Sequence, residues 1–152
     1  MSEDLGSLIK LVDSGQADAA EPGLVAFVEA NPRHPAAQFY LGIIRLRQGR
    51  NGDAASAYAV AAAGLPGVAA VHSNLALACR RAGKPDESRL ASRRATILAP
   101  EGAGPYVLRS EAAAEEGDAQ AALQSALMAF MIDPAGQSGL LLEAARTAGD
   151  AK

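Results

Sequence analysis

The sequence predicts an all-α protein, a solenoid of antiparallel helix pairs stacked in a row. Three observations carry this. Proline recurs at positions 32, 66, 100 and 134, and glycine at 15, 49, 83 and 117, both at a spacing of thirty-four residues without insertion. At an average proline frequency of roughly 5%, three further hits on one preset spacing have odds of about one in ten thousand. Small residues fall in columns on the same register: Ala20, Ala54, Ser88 and Ala122; Gly42, Ala76 and Ser110 after Leu8; Ala61, Ala95 and Ala129 after Phe27. Small side chains recur where helix backbones cross closely, because a larger one would wedge them apart. Glycine in mid-repeat and proline at its end mark helix-turn-helix units.

The first unit, 1–34, is the least regular, as terminal units of such arrays often are. Gly15 stops its first helix, and Pro22-Gly23 is expected to shorten or kink its second. The second unit, 35–68, is clearer. Ala36–Gln48 carries Phe39, Leu41, Ile43, Ile44 and Leu46, the spread of a helix with two apolar faces, and Gly49 caps its end. Asp53 suits the start of the next helix, where an acid meets the positive helix end. Unit 69–102 repeats the plan with Gly83, Pro85 at a helix start and Asp86. Unit 103–136 does so with Gly117-Asp118. The ladder prolines close the second helices, since proline disfavours helix at the residue before it. Residues 137–152 are expected to hold a capping helix, Leu140–Ala148, stopped at Gly149-Asp150. The same turn also reads as the start of a longer chain.

Bulk properties set bounds. The chain has 152 residues, 49% apolar content, 4% aromatics and no tryptophan, so its core is built from Ala, Leu, Val and Ile. Cys79 is the single cysteine, which rules out a disulfide framework. The start, Met1-Ser2-Glu3-Asp4, lacks the cationic and apolar segments of a signal peptide, and no apolar run reaches membrane-spanning length. A cytoplasmic protein with no membrane contact is the expectation. The net charge of −3 argues against nucleic acid. Its distribution is uneven: six acids and two bases in 1–34, one and three in 35–68, three and six in 69–102, five and one in 103–136. The basic middle reads either as solvated surface or as a band that orients an acidic partner. Acidic ends and a basic middle also admit an antiparallel homodimer.

No catalytic constellation emerges, and no cofactor or metal site. His34 and His72 have no His or Cys at ligand spacing. Cys79, among alanines, reads as a buried thiol. The arginines 80, 81, 89, 93 and 94 lack the interleaved aromatics of a nucleic-acid platform. Arg45 is expected to lay its stem along the core with its head in water.

Leu41-Gly42, Gly49, Ala54, Tyr58, Ala61 and Pro66 together make the second unit resemble the tetratricopeptide repeat (TPR) family. Gly83, Ala95 and Pro100 in the third unit agree, as do Tyr106, Ala122, Ala129 and Pro134 in the fourth. The resemblance covers four repeats, about nine-tenths of the chain. It implies a right-handed superhelix whose first helices line a concave surface that binds a protein or peptide segment. Carried onto this chain, that surface consists of Leu5 and Ile9, then Phe39, Tyr40, Ile43 and Arg47. Ser73, Asn74, Leu77 and Arg81 continue it, followed by Val107, Leu108 and Glu111, with Leu141 at the end. The wall is apolar in its middle and basic at one edge, which fits a segment with apolar anchors. The family's clamp for acidic chaperone tails needs lysines, arginines and asparagines at positions that here are mostly apolar. Only Asn74 matches, so no such tail is expected to bind. The resemblance leaves two alternatives: an N-terminal recognition or dimerisation domain of a larger bacterial oxygenase, sulfotransferase or glycosyltransferase, or a small secretion chaperone.

Overall fold

The computed structural model describes residues 4–150. Among them are nine helices and no strand: α1 (Leu5–Asp13), α2 (Ala17–Ala30), α3 (Pro35–Arg47), α4 (Asn51–Gly64), α5 (Ala69–Arg81), α6 (Pro85–Leu98), α7 (Ala103–Glu115), α8 (Ala119–Ile132) and α9 (Pro134–Asp150). The chain is an all-α solenoid in which α1–α2, α3–α4, α5–α6 and α7–α8 pack as pairs and α9 packs on α8. Three couples of successive first helices also touch, α1 with α3, α5 with α7 and α7 with α9. Consecutive second helices make no comparable contact. The first helices therefore lie on the inner side of the curve.

The ladder glycines end the first helices by one mechanism. Gly15, Gly49, Gly83 and Gly117 have φ of +85°, +75°, +73° and +78°, the region that only glycine enters without penalty. In each turn two backbone N–H groups reach back to the helix end. Gly49 donates to the Leu46 carbonyl at 3.1 Å and Arg50 to that of Arg45 at 2.9 Å. Lys84 and Asp118 repeat the second of these bonds, onto the carbonyls of Cys79 and Ala113 at 2.9 Å. Carbonyls that a bare helix end leaves unpaired are thus satisfied. The expected acids also sit at helix starts. Asp118 caps α8, its Oδ1 accepting from the Ala121 N–H at 3.0 Å, and Asp53 and Asp86 lie in the first turns of α4 and α6. Pro85 is the first residue of α6.

Two expected helix boundaries differ. Pro22 does not shorten α2: the helix runs fourteen residues, the same as α4, α6 and α8. Pro22 is exposed, so water can serve the carbonyl that its missing N–H leaves, while Ala17, Ala20 and Leu24 anchor the buried side. The last helix is also longer than Leu140–Ala148. It begins at Pro134 and passes through Gly149. After α2, α4 and α6 the ladder proline is followed by further loop before the next helix starts. After α8 only Asp133 intervenes, and its Oδ1 accepts from the Gly136 N–H at 3.1 Å. That cap makes Pro134 the first residue of α9, a position where its missing N–H costs nothing. The stop expected at Gly149-Asp150 falls at the edge of the described residues, where α9 is described as far as Asp150.

The core thins along the chain. Leu8, Val12, Leu24, Leu41 and Ile44 form a branched aliphatic cluster across α1–α3. Tyr58, Ala54, Ala55, Ala78 and Cys79 carry it through α4 and α5. From α6 onward the buried positions are mainly Ala91, Ala95, Ala122, Ala126 and Ala129, with Ser88, Ser92, Ser110 and Ser125. Two of these serines stitch a pair together. Ser88 Oγ in α6 donates to the Ala76 carbonyl in α5 at 2.9 Å. Ser110 Oγ in α7 donates to the Ala122 carbonyl in α8 at 2.8 Å. The two bonds join the same pair of register positions with the donor on opposite helices.

Candidate functional site

The side chains expected to face a partner sit on the inner helices α1, α3, α5 and α7. Ile9, Phe39, Tyr40, Ile43, Asn74, Leu77, Val107 and Leu108 are half-buried, and Arg47 and Arg81 are exposed. The two arginines are the last residues of α3 and α5, where a cation meets the negative helix end. Part of this wall also serves the core. Ile43 packs on both apolar clusters, and the Phe39 ring lies edge-on to Tyr40 at 5.5 Å and tilted against Tyr58 at 5.7 Å. Tyr40 has its pKa raised, by burial first and then by the Asp13 carboxylate beside it. Glu111 is taken up within the chain: it accepts a 2.8 Å ion pair from Arg80.

That ion pair belongs to a pattern. Arg80 also reaches Glu115 at 3.1 Å, Arg89 reaches Glu116 at 3.4 Å, and Arg50 reaches Glu21 at 3.5 Å. Arginines of the basic middle thus bridge outward to acids of both flanks. The uneven charge distribution serves, at these residues, to join consecutive pairs inside one chain. The sequence carried a signal for this, since complementary charges fall in adjacent blocks, but block charges alone do not tell a contact within the chain from one with a partner.

Two further features lay outside the sequence reading. Three of the most exposed large apolar side chains are off the inner helices, Leu90 and Ile97 on α6 and Met131 on α8, while the equally exposed Leu142 on α9 continues the register of Tyr40, Asn74 and Leu108. A cleft of about 260 Å³ opens between α6 and α7–α8, against Ser92, Ala112 and Ala113. Cys79 is buried, and burial pushes its thiol pKa up, with Glu87 adding and Lys84 opposing, so the thiolate is suppressed. His72 is also buried, its Nε2 3.0 Å from the Pro66 carbonyl, while His34 caps α3 through Nδ1, 3.3 Å from the Ala37 N–H. Arg45 is half-buried and its Nε has no hydrogen-bond partner among the described residues. Among those residues no helix is long and apolar enough to cross a membrane.

Comparisons with known proteins agree on the architecture. The family model for the tetratricopeptide repeat matches residues 9–69 and 46–103. Among solved structures, a crystal structure of MamA superposes with a TM-score of 0.77 at 19% identity, covering 97% of this chain and 92% of that one. TTC0263, a thermophilic TPR protein of Thermus thermophilus, superposes at 0.74 with 20% identity, over 95% of this chain and 81% of that one. A chain of the APC/C hetero-tetramer Cut9–Hcn1 gives 0.79 at 17% identity, over 90% of this chain and 28% of that one. At such identities the likeness speaks to the fold alone. No curated protein matches the chain in sequence. The fold is that of a protein–protein interaction scaffold. Its glycine turns, its small-residue crossings and the matched stretch from Ile9 into the third helix pair agree, and the chain belongs to the tetratricopeptide repeat family.

Proposed function

We propose that the protein binds an extended or helical segment of a partner along its inner face. Apolar anchors of the partner lie against Ile9, Phe39, Tyr40, Ile43, Leu77, Val107 and Leu108, and acidic residues of the partner meet Arg47 and Arg81. Asn74 offers the backbone of that segment a hydrogen bond. One observation carries the reading: these apolar side chains are only half-buried, although they sit on helices that face one another across successive pairs. Each anchor that completes such a burial is worth up to about 1.5–3 kcal/mol. The wall gives an acidic terminal carboxylate nothing but Asn74 at the clamp positions.

Selection of a displayed random peptide library on the folded protein tests this. Enriched peptides carry apolar residues at helical or alternate spacing with an acid to one side. Their binding is lost in Leu77→Asp and weakened in Arg47→Glu/Arg81→Glu, two exposed sites that leave the core untouched. Selected peptides that bind all three proteins equally place the site elsewhere.

A homodimer is the second reading, favoured by the outward-facing Leu90, Ile97 and Met131 on the second helices. An ultracentrifuge mass equal to that of the monomer at both low and high salt removes it.

A further inference from the structure

The interface between the second and third helix pairs is filled by Tyr58, which is fully buried against Ala78 and Cys79 of α5. One repeat further on, thirty-four residues later, the same three positions are Ser92, Ala112 and Ala113. The aromatic ring has become a hydroxymethyl group, and the space it fills in the earlier interface is the cleft of about 260 Å³ between α6 and α7–α8. Three surrounding positions gain a positive charge: where the preceding repeat has Ala55, Ala59 and Leu75, this one has Arg89, Arg93 and Arg109, all lining the cleft, while Ala82 and Lys84 give way to Glu116 and Asp118.

Two acids line it as well, but both are engaged. Glu116 pairs with Arg89, and Asp118 caps α8 through the Ala121 N–H. Among the described residues no carboxylate lies within 4.0 Å of the Arg93 or Arg109 guanidinium. Ser92 is 1% exposed, and its Oγ is a buried polar atom without a hydrogen-bond partner among the described residues. A buried hydroxyl left unpaired costs about 1–3 kcal/mol, a cost that a ligand supplying an acceptor removes.

We propose that this cleft is a second binding site, separate from the inner wall, and that it takes a small oxyanion of carboxylate or phosphate type. Arg93 and Arg109 supply the charge-assisted donors, and Ser92 Oγ supplies a neutral one. A phosphate monoester or carboxylate projecting from a partner and the free ion share this chemistry.

The folded protein is titrated with inorganic phosphate, with acetate and with an N-acetyl phosphoserine amide at constant ionic strength, following backbone amide resonances. A saturable shift at Ser92, Ala112 and Ala113 below about 10 mM phosphate or acetate is expected. Arg93→Gln/Arg109→Gln weakens it at least about tenfold, the loss expected for charge-assisted hydrogen bonds. Ser92→Ala weakens it less, and Arg33→Gln/Arg146→Gln, at two exposed arginines outside the cleft, leaves it unchanged. Tighter binding of the phosphoserine amide than of phosphate assigns the site to a phosphorylated partner, and equal binding assigns it to the free ion. No saturable shift with any of the three anions, or a shift of equal affinity in Arg93→Gln/Arg109→Gln, overturns the proposal.

Discussion

The ring of Tyr58 lies on the backbone of Gly42: a Cβ placed on Gly42 would stand 2.7 Å from Cε1 and 2.9 Å from Cδ1 of that ring. The helices α3 and α4 approach this closely only because one side is bare. The ring is 0% exposed, so it has no free direction in which to retreat.

Gly42→Ala tests the contact, because two effects oppose each other. Alanine in a helix interior is favoured over glycine by about 1 kcal/mol. Overpacking against a buried ring costs roughly 1–3 kcal/mol. A net loss of up to about 2 kcal/mol in urea denaturation is expected. In a Tyr58→Ser background the sign reverses, and the same substitution stabilises by about 1 kcal/mol because only propensity is left. Equal effects in both backgrounds would show that the ring is not what restrains position 42.

Position 42 also shows how far the sequence could be read. The column Leu8, Gly42, Ala76, Ser110 marks a helix crossing on its own. The column that faces it, Leu24, Tyr58, Ser92, Ala126, shows what fills the crossing, and only the two together reveal where filling fails. The glycine turns were legible because a φ near +75° leaves little choice of residue. Pro22 was not, because its effect depends on whether the carbonyl it strands meets solvent. Nor was the start of α9, where Asp133 caps a helix that the register would begin at 137. The inner wall was legible as a stripe, but how deeply Phe39 and Ile43 lean into the core depends on packing across pairs.

Tyr58→Phe is expected to be neutral or stabilising by up to about 1 kcal/mol, since the phenol oxygen is buried without a partner among the described residues. Burial raises the phenol pKa in the folded protein, against a smaller opposing pull from Arg47. The folded state then holds its proton where the unfolded state releases it. This stability contribution is fully present below the unfolded value near 10 and declines as pH rises beyond it. Chemical denaturation of both proteins from pH 8 to 11 checks the sign: whatever the difference at pH 8, it shifts in favour of the variant toward the alkaline end.

Ser88→Ala and Ser110→Ala each remove the hydroxyl that joins the helices of one pair. A loss of about 0.5–1.5 kcal/mol is expected for each in thermal or urea unfolding. Neither substitution leaves a cavity beyond one oxygen, so a loss well above that range would point to a wider role for the hydroxyl.

Burial ranks the two acids that Arg80 holds. Glu111 lies 2.8 Å from the guanidinium with its side chain 36% exposed, and Glu115 lies 3.1 Å away at 61%. Glu111→Gln should cost more than Glu115→Gln, both within about 1 kcal/mol. Both losses shrink in high salt, because exposed pairs are screened. Salt-independent losses would mean that the glutamates act through packing instead.

The vacated slot at Ser92 can be filled by transplanting the preceding pair. Ser92→Tyr alone sets a ring against the Cβ of Ala76, the contact that Gly42 avoids, and is expected to destabilise by about 1–3 kcal/mol. Ala76→Gly/Ser92→Tyr recreates the Gly42–Tyr58 arrangement one repeat later. Burying the ring contributes about 1.5–3 kcal/mol, and a helical glycine costs about 1 kcal/mol. A net gain of roughly 1 kcal/mol over the parent is therefore expected in urea unfolding. The ring would also occupy the cleft beneath Arg89, Arg93 and Arg109, so phosphate should no longer shift the amides of Ala112 and Ala113. A double variant that is more stable yet still binds the anion would show that the arginines hold it at the surface, outside the slot.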